Sequence, residues 1–219
     1  MVSTLDLRIT ATLVLLVYAS ILDLQSREIN RFAWQSMAGL GIILLAIDLA
    51  ASKSLSLLVS ASIILGIAIA FAVTVNYLGL MGGGDAKLLI GLGAMFPTLP
   101  HGTYLLPAFF LTVFSNAIIA SLLVPITFFL RNLGELRSVR SPRDFLRLFI
   151  AYQKDSKDLG RFETVLEDGQ LYINAREVEL GETESEGIVW ATPALPFVVF
   201  LTLGFIISVL YGDLIAVIF

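Results

Sequence analysis

Cysteine is absent from this 219-residue chain, and histidine occurs once, at His101. Thiolate-ligated zinc and structural disulfides are therefore excluded, and a histidine-based metal site has almost nothing to build on. No metal and no other cofactor is expected, so any chemistry must run on oxygen and nitrogen groups. Charge is scarce as well: Asp, Glu, Lys and Arg make up 15% of the residues, against 57% hydrophobic ones. A mean hydropathy of +0.89 lies well outside the range of water-soluble domains and marks a chain whose solvent is the lipid bilayer. The net charge of −4 says little about partners, because the acidic excess sits in one segment, and no nucleic-acid partner is expected.

What is present is a series of apolar runs, over residues 9–22, 32–49, 55–80, 104–130 and 193–219. Each is near or beyond the roughly 20 residues that cross a bilayer as helix. A further run, 86–96, is short, but counted over 80–99 it reaches spanning length with Asp85 and Lys87 near one end. Arginine arbitrates. Arg27 and Arg31 separate the first two runs, and Arg131, Arg137, Arg140, Arg143 and Arg147 follow the run ending at 130. Basic residues in short loops favour the cytoplasmic side, and the two groups share a side only if 80–99 spans. The expectation is an all-α polytopic membrane protein with six transmembrane helices, multi-pass in the plasma membrane with both termini outside. Five helices fall within 1–130 and the sixth within 191–219, around a small α+β cytoplasmic insertion over 131–190. Residues 9–19 loosely resemble the apolar core of a signal peptide, but MVSTLDLR ahead of them lacks a basic n-region.

In the insertion, SPRDFLRLFIAY places apolar residues at helical spacing behind a Ser141 cap and Pro142, which predicts an amphipathic helix near the membrane surface. RFETVLEDGQLYIN alternates around Asp168-Gly169, a hairpin signal, and EGIVW predicts another short strand before the last span. The acidic stretch 181–186 reads as a solvated loop.

Charged groups near membrane depth are costly, which makes each a candidate for function. Asp23 ends the first span and Asp85 opens the fourth, so the expected topology brings both to the cytoplasmic boundary from different helices. Two carboxylates meeting there would share one proton. Such a pair can hydrolyse a peptide, the ionised partner taking a proton from water while the protonated one polarises the scissile carbonyl. Plainer readings stand beside this one. Gly82-Gly83-Gly84-Asp85 also fits a loop ending in an aspartate N-cap, and Asp23 also fits an interfacial carboxylate paired with Arg27. Lys87 reads as snorkelling to the headgroups, His101 as a turn residue, and Asp48 and Asp213, toward the opposite face, are given no role.

Taken together, YASILDLQSREINRFAW, MGGGDAK and TPALPF resemble the archaeal type IV prepilin and preflagellin (prearchaellin) peptidases, members of the GxGD aspartic proteases of membranes. The GxGD pattern falls on Gly82, Gly84 and Asp85, and the first aspartate of the family, followed by an Arg-Glu-Ile-like stretch, falls on Asp23 ahead of Arg27-Glu28-Ile29. The resemblance implies Asp23 and Asp85 as the catalytic pair. It further implies precursor pilin and archaellin subunits as substrates, whose class III signal peptides carry a basic head before the cut and an apolar segment after it. Bacterial relatives often add a cysteine-rich zinc domain and N-methylation; with no cysteine here, cleavage without methyl transfer is expected. Pro193-Ala194-Leu195 also resembles the PAL motif of presenilin-like enzymes, which usually have more spans than this chain can hold. Presenilin-like cleavage of other membrane substrates is one alternative; a small transporter carrying protons or cations on Asp23 and Asp85 is another.

Glycine lacks a Cβ, so Gly82, Gly83 and Gly84 are expected to form an active-site loop of positive φ that lets a substrate backbone or another helix approach Asp85. Pro193 and Pro196 are expected to leave main-chain groups unpaired where the strand gives way to helix, for an extended substrate to use, with Pro193, Ala194 and Leu195 as candidate substrate contacts. A helix start shaped by proline is the other reading. Ala19 and Ser20 are small enough for a neighbouring helix to come close to Asp23, in an active-site seam or in ordinary bundle packing.

Overall fold

A computed structural model describes residues 3–100, 104–166 and 187–218. His101, the Asp168-Gly169 hairpin and the acidic stretch 181–186 lie outside the described residues. Among the described residues helices dominate, and four stretches are long and apolar enough to cross a membrane: α1 (Thr4–Ser26), α2 (Arg31–Ser52), α3 (Leu55–Tyr77) and Phe109–Arg131, which takes in α5 (Phe109–Ser121) and α6 (Leu123–Arg131). Large apolar side chains such as Ile42, Ile43, Ile47, Ile63 and Val73 stand exposed on α2 and α3, as lipid-facing surfaces require. By length and composition these helices mark a membrane protein. Two further helices are shorter. The run counted over 80–99 contains α4 (Gly83–Met95), of 13 residues, and the last run contains α8 (Phe197–Leu210), of 14, followed by α9 (Leu214–Ile218).

The chain divides into two compact units, Met1–Ala120 with Pro196–Phe219, and Ser121–Leu195. In the first, α4 is held between neighbours by the absence of side chains. A Cβ on Gly41 of α2 would lie 2.6 Å from the Ala94 carbonyl oxygen, and one on Gly93 of α4 would lie 2.5 Å from the Ala68 Cβ of α3. Gly91 meets Met37 and the Trp34 carbonyl in the same way. Gly204 of α8 packs on the α5 backbone in the same way: a Cβ there would lie 2.5 Å from the Val113 carbonyl oxygen. Phe96, Phe109 and Phe205 fill the space between these helices, the Phe96 and Phe109 rings 4.6 Å apart. Buried Asn116 ties α5 to the end of α8, donating to the Ser208 hydroxyl at 2.9 Å and the Gly212 carbonyl at 2.8 Å.

The second unit is held by local chemistry. Helix α7 (Pro142–Ile150) starts on the expected Ser141 cap, closed into a capping box by Asp144, with Pro142 at the first turn. The N–H groups of Arg140 and Ser141, with the Ser141 hydroxyl, hold the Asp144 carboxyl below the usual carboxylate range. Its apolar face stacks Phe149 on Phe129 of α6 at 4.5 Å, and buried Asn132 covers the last helical carbonyls, Leu148 at 2.9 Å and Ala151 at 2.7 Å. The helix stops at Ile150, because Ala151 turns extended and Tyr152 opens β1 (Tyr152–Asp155). EGIVW does contribute a strand, β3 (Ile188–Pro193), which lies between β1 and β2 (Glu163–Val165) in an antiparallel sheet. Glu163 knits this sheet: it accepts from Lys154 at 2.8 Å, from the Gly160 N–H at 2.6 Å and from the Tyr152 hydroxyl. Burial opposes its charge, but those donors prevail and hold its carboxyl at about 2, while burial and the neighbouring Glu163 push Tyr152 up to about 12.

Two outcomes follow from the packing. Gly41→Ala is expected to destabilise the helical unit by about 1–3 kcal/mol, since the Ala94 backbone cannot yield, whereas Gly39→Ala, with nothing within 4 Å of its Cβ, leaves thermal unfolding in detergent unchanged or raised. Because the Glu163 carboxyl lies below its ordinary 4.5, its ionised form stabilises the fold above that pH, and the contribution is lost as pH falls toward about 2. The stability difference between the wild-type chain and Glu163→Gln should accordingly be full at neutral pH and shrink below about pH 4.5.

Candidate active site

Helix α1 buries one face, Arg8, Thr12, Leu16, Ala19, Ser20 and Asp23, at helical spacing. Asp23 occupies its last full turn, and the helix ends one turn on, where Arg27 turns left-handed (φ 57°) and its N–H closes on the Asp23 carbonyl at 3.1 Å. The Arg27 guanidinium donates to the same carbonyl at 3.3 Å, and its charge acts on the Asp23 carboxylate. Ala19 and Ser20 do admit a neighbour, and it is α8: the Ser20 and Thr202 hydroxyls meet at 2.7 Å, and Thr202 also donates to Val198 and Leu16 carbonyls. At the head of α8, Pro196 offers no capping side chain. Asp23 supplies the acceptor instead, its Oδ2 taking the Val198 N–H at 3.1 Å. One carboxylate oxygen is thereby anchored to a helix N-terminus, where unpaired N–H groups and the helix dipole favour an acceptor.

Asp85 is positioned by the glycines ahead of it. Gly82 is the N-cap of α4, so Gly83 and Gly84 form the first helical turn and Asp85 is the third helical residue rather than the cap. Its carboxylate turns back onto the Gly82 N–H, and a Cβ on Gly82 would stand 3.0 Å from Asp85 Oδ2. On Gly84 a Cβ would stand 3.0 Å from the Ile29 Cβ and Cδ1, whereas on Gly83 it would meet only Asn76 Oδ1 at 3.5 Å. The expectation of positive φ in this stretch is corrected: Gly82 has φ −60°, and the left-handed glycine nearby is Gly79, at φ 70°. Closeness, not a left-handed backbone, is what the motif requires. Gly84 lets the start of α4 settle against the Arg27-Glu28-Ile29 stretch that follows Asp23.

Asp23 thus lies in the last turn of α1 and Asp85 in the first turn of α4, on helices that touch each other although the two residues are far apart in sequence. Asp23 is buried, at 6% exposure, and Asp85 is partly exposed, beside exposed Gly82 and Gly83. Lys87 points to the surface. Among the described residues no group of three or more His, Cys, Asp or Glu gathers to hold a metal ion. Pro193, Ala194 and Leu195 belong to the other compact unit. There the expected unpaired main chain is already used: β3 is the central strand, and the Ala194 N–H donates to the Phe162 carbonyl at 2.8 Å. Pro193 and Leu195 instead border an apolar cavity of about 230 Å³ with Phe128, Ile150, Thr164 and Leu166. Ile29 was noted in the sequence only as part of the Arg27-Glu28-Ile29 stretch, not as the packing partner of Gly84, and the Val198 N–H not at all; a packing partner and a main-chain donor leave no mark in residue type.

A double-mutant cycle tests the Gly84 contact. Gly84→Ala should lower the unfolding temperature, Ile29→Ala in the same chain should recover part of the loss with a coupling of about 0.5–3 kcal/mol, and Gly83→Ala should change little.

Comparison with known proteins adds a second line. Residues 10–126 match the Type IV leader peptidase family and residues 134–214 match Archaeal Peptidase A24 C-terminus Type II. A preflagellin peptidase of Methanocaldococcus jannaschii is 33% identical over 93% of both chains. Preflagellin peptidases of Methanococcus maripaludis and Methanococcus voltae are 27% and 28% identical, each over 90% of this chain and 92% of the relative. A family match that takes in more than half of the chain and runs through both aspartates, joined by similarity along nearly the whole length of these relatives, means that the chain belongs to the type IV leader peptidase family.

Proposed function

We propose that this peptidase cleaves the signal peptides of precursor pilin and preflagellin (archaellin) subunits, with Asp23 and Asp85 as an aspartic dyad. The observation that carries the reading is the placement of two carboxylates on separate, touching helices, Asp23 buried in the last turn of α1 and anchored through Oδ2 to the Val198 N–H, and Asp85 in the first turn of α4 behind Gly82. Two such groups are most stable sharing a single proton. The ionised carboxylate takes a proton from water as the water oxygen attacks the scissile carbonyl carbon; the protonated one donates to the carbonyl oxygen. Collapse of the tetrahedral intermediate breaks the C–N bond, with the departing nitrogen protonated by the dyad. Neither metal nor covalent enzyme intermediate takes part.

In this reading Gly82 and Gly83, exposed beside Asp85, leave the substrate backbone room to come within hydrogen-bond reach. Pro193 and Leu195, which border an apolar cavity within their own unit, are substrate contacts in this reading, with Ala194 between them. Six spans complete the topology, α4 and α8 crossing together with their flanking residues. The dyad and residues 131–190 then face the cytoplasm, as the arginines around 27–31 and 131–147 favour, and the N-terminal end of α1 faces outside. The substrate's apolar segment lies in the bundle while its basic head stays at the cytoplasmic surface.

Incubating membranes that contain the protein with a precursor pilin or preflagellin tests this. Asp23→Asn and Asp85→Asn should each reduce processing by about a thousandfold or more. A transporter would leave the precursor intact in every form, and a presenilin-like enzyme would still cut a substrate stripped of its basic head; either result removes the assignment.

A further inference from the structure

We propose that Arg8 is a positioning residue for the carboxylate pair, clamping the far ends of the two helices that carry Asp23 and Asp85. The inference rests on the dyad reading above. Arg8 lies in the second turn of α1, 4% exposed, and reaches two other helices at once. Its Nη2 pairs with Asp48 Oδ2 of α2 at 2.8 Å, and its Nη1 donates to the carbonyl of Met95, the last residue of α4. That carbonyl belongs to the final turn of a helix, where no intrahelical N–H is available, and a planar guanidinium can serve it and a carboxylate together.

The two helices therefore meet twice. At one end stand Asp23, in the last turn of α1, and Asp85, in the first turn of α4; at the other Arg8 of α1 holds Met95 of α4. Along α1 the two points are about 22 Å apart and along α4 about 15 Å, at 1.5 Å per residue. Swinging a rod of that length by about 3° shifts its end by about 1 Å, a misplacement able to cost about a hundredfold in rate at a reacting centre. Replacing both partners of a buried ion pair by well-packed apolar groups is often no less stable, whereas removing Arg8 alone leaves Asp48 and the Met95 carbonyl without it and costs stability too, so position has to be read separately from folding. A cavity of about 220 Å³ beside it, bordered by Thr4, Arg8, Asp48 and Thr98, leaves room for other side chains at position 8.

The absence of cysteine makes a direct test possible. In the full chain, Arg8→Met should lower kcat for precursor cleavage by about ten- to a hundredfold with KM unchanged, and Arg8→Lys should fall between Arg8→Met and the wild type. Cysteines are then placed in pairs, Asp23→Cys with Asp85→Cys, and Ser20→Cys with Thr202→Cys as a reference between α1 and α8, and joined with a short bismaleimide. Adding Arg8→Met should lower the yield of the first pair and leave the second unchanged. The proposal is overturned if kcat holds in Arg8→Met, if the first pair cross-links as well as before, or if both pairs lose yield together, which would make Arg8 a general folding support. Failure of the dyad reading looks different: Asp23→Asn or Asp85→Asn would then still cleave, whatever Arg8→Met does.

Discussion

In the proposed reading two carboxylates are brought together near the membrane boundary, an unfavourable arrangement because each repels the other and burial opposes their charge. A chain that contains one must hold it with parts that cannot relax apart. Here those parts are helices α1 and α4, and the holding is done largely by main chain: the Val198 N–H on Asp23, the Gly82 N–H on Asp85, and the Arg27 N–H closing α1 over the Asp23 carbonyl. Such donors cannot rotate away as a side chain can, which in the proposed reading suits groups that must meet one substrate carbonyl within a fraction of an ångström.

Glycine has separate tasks in this structure. At Gly41, Gly93 and Gly204 it removes the side chain that would keep two helices apart, so α4 sinks between α2 and α3 while α8 settles on α5. In membranes, where lipid is as apolar as the core, packing of this closeness is a main source of helix association. At Gly82 and Gly84 it has a chemical consequence, admitting a carboxylate oxygen at one position and Ile29 at the next but one. Gly83 between them meets only an ordinary contact, a physical reason for the motif to leave its second position open.

The unit over Ser121–Leu195 is built on different physics, with capped helix ends, a small antiparallel sheet and a half-buried carboxylate satisfied by an ammonium, an N–H and a hydroxyl. Much of this was legible in the sequence because it is local. Ser141, Pro142 and Asp144 lie within one turn of each other, and the strand in EGIVW follows from a run of β-formers. The reach of Glu163 to Lys154 and Tyr152 was not legible, since the pairing of β1 and β2 with β3 brings those residues together across the sheet.

The sequence by itself determined the solvent, the apolar helices, the two acids worth attention and the group of enzymes they resemble. Hydropathy and charge are properties of residues, and a carboxylate among apolar neighbours is conspicuous before any fold is known. Tertiary structure alone decided that Asp85 sits in the third helical position rather than at the cap, that Asp23 serves as the cap of α8, that the Ala194 N–H is already paired, and that Arg8 and Asp48 join three helices. Each of these depends on which main-chain group or distant side chain lies opposite, and that is set by the packing of whole helices, not by any spacing along the chain.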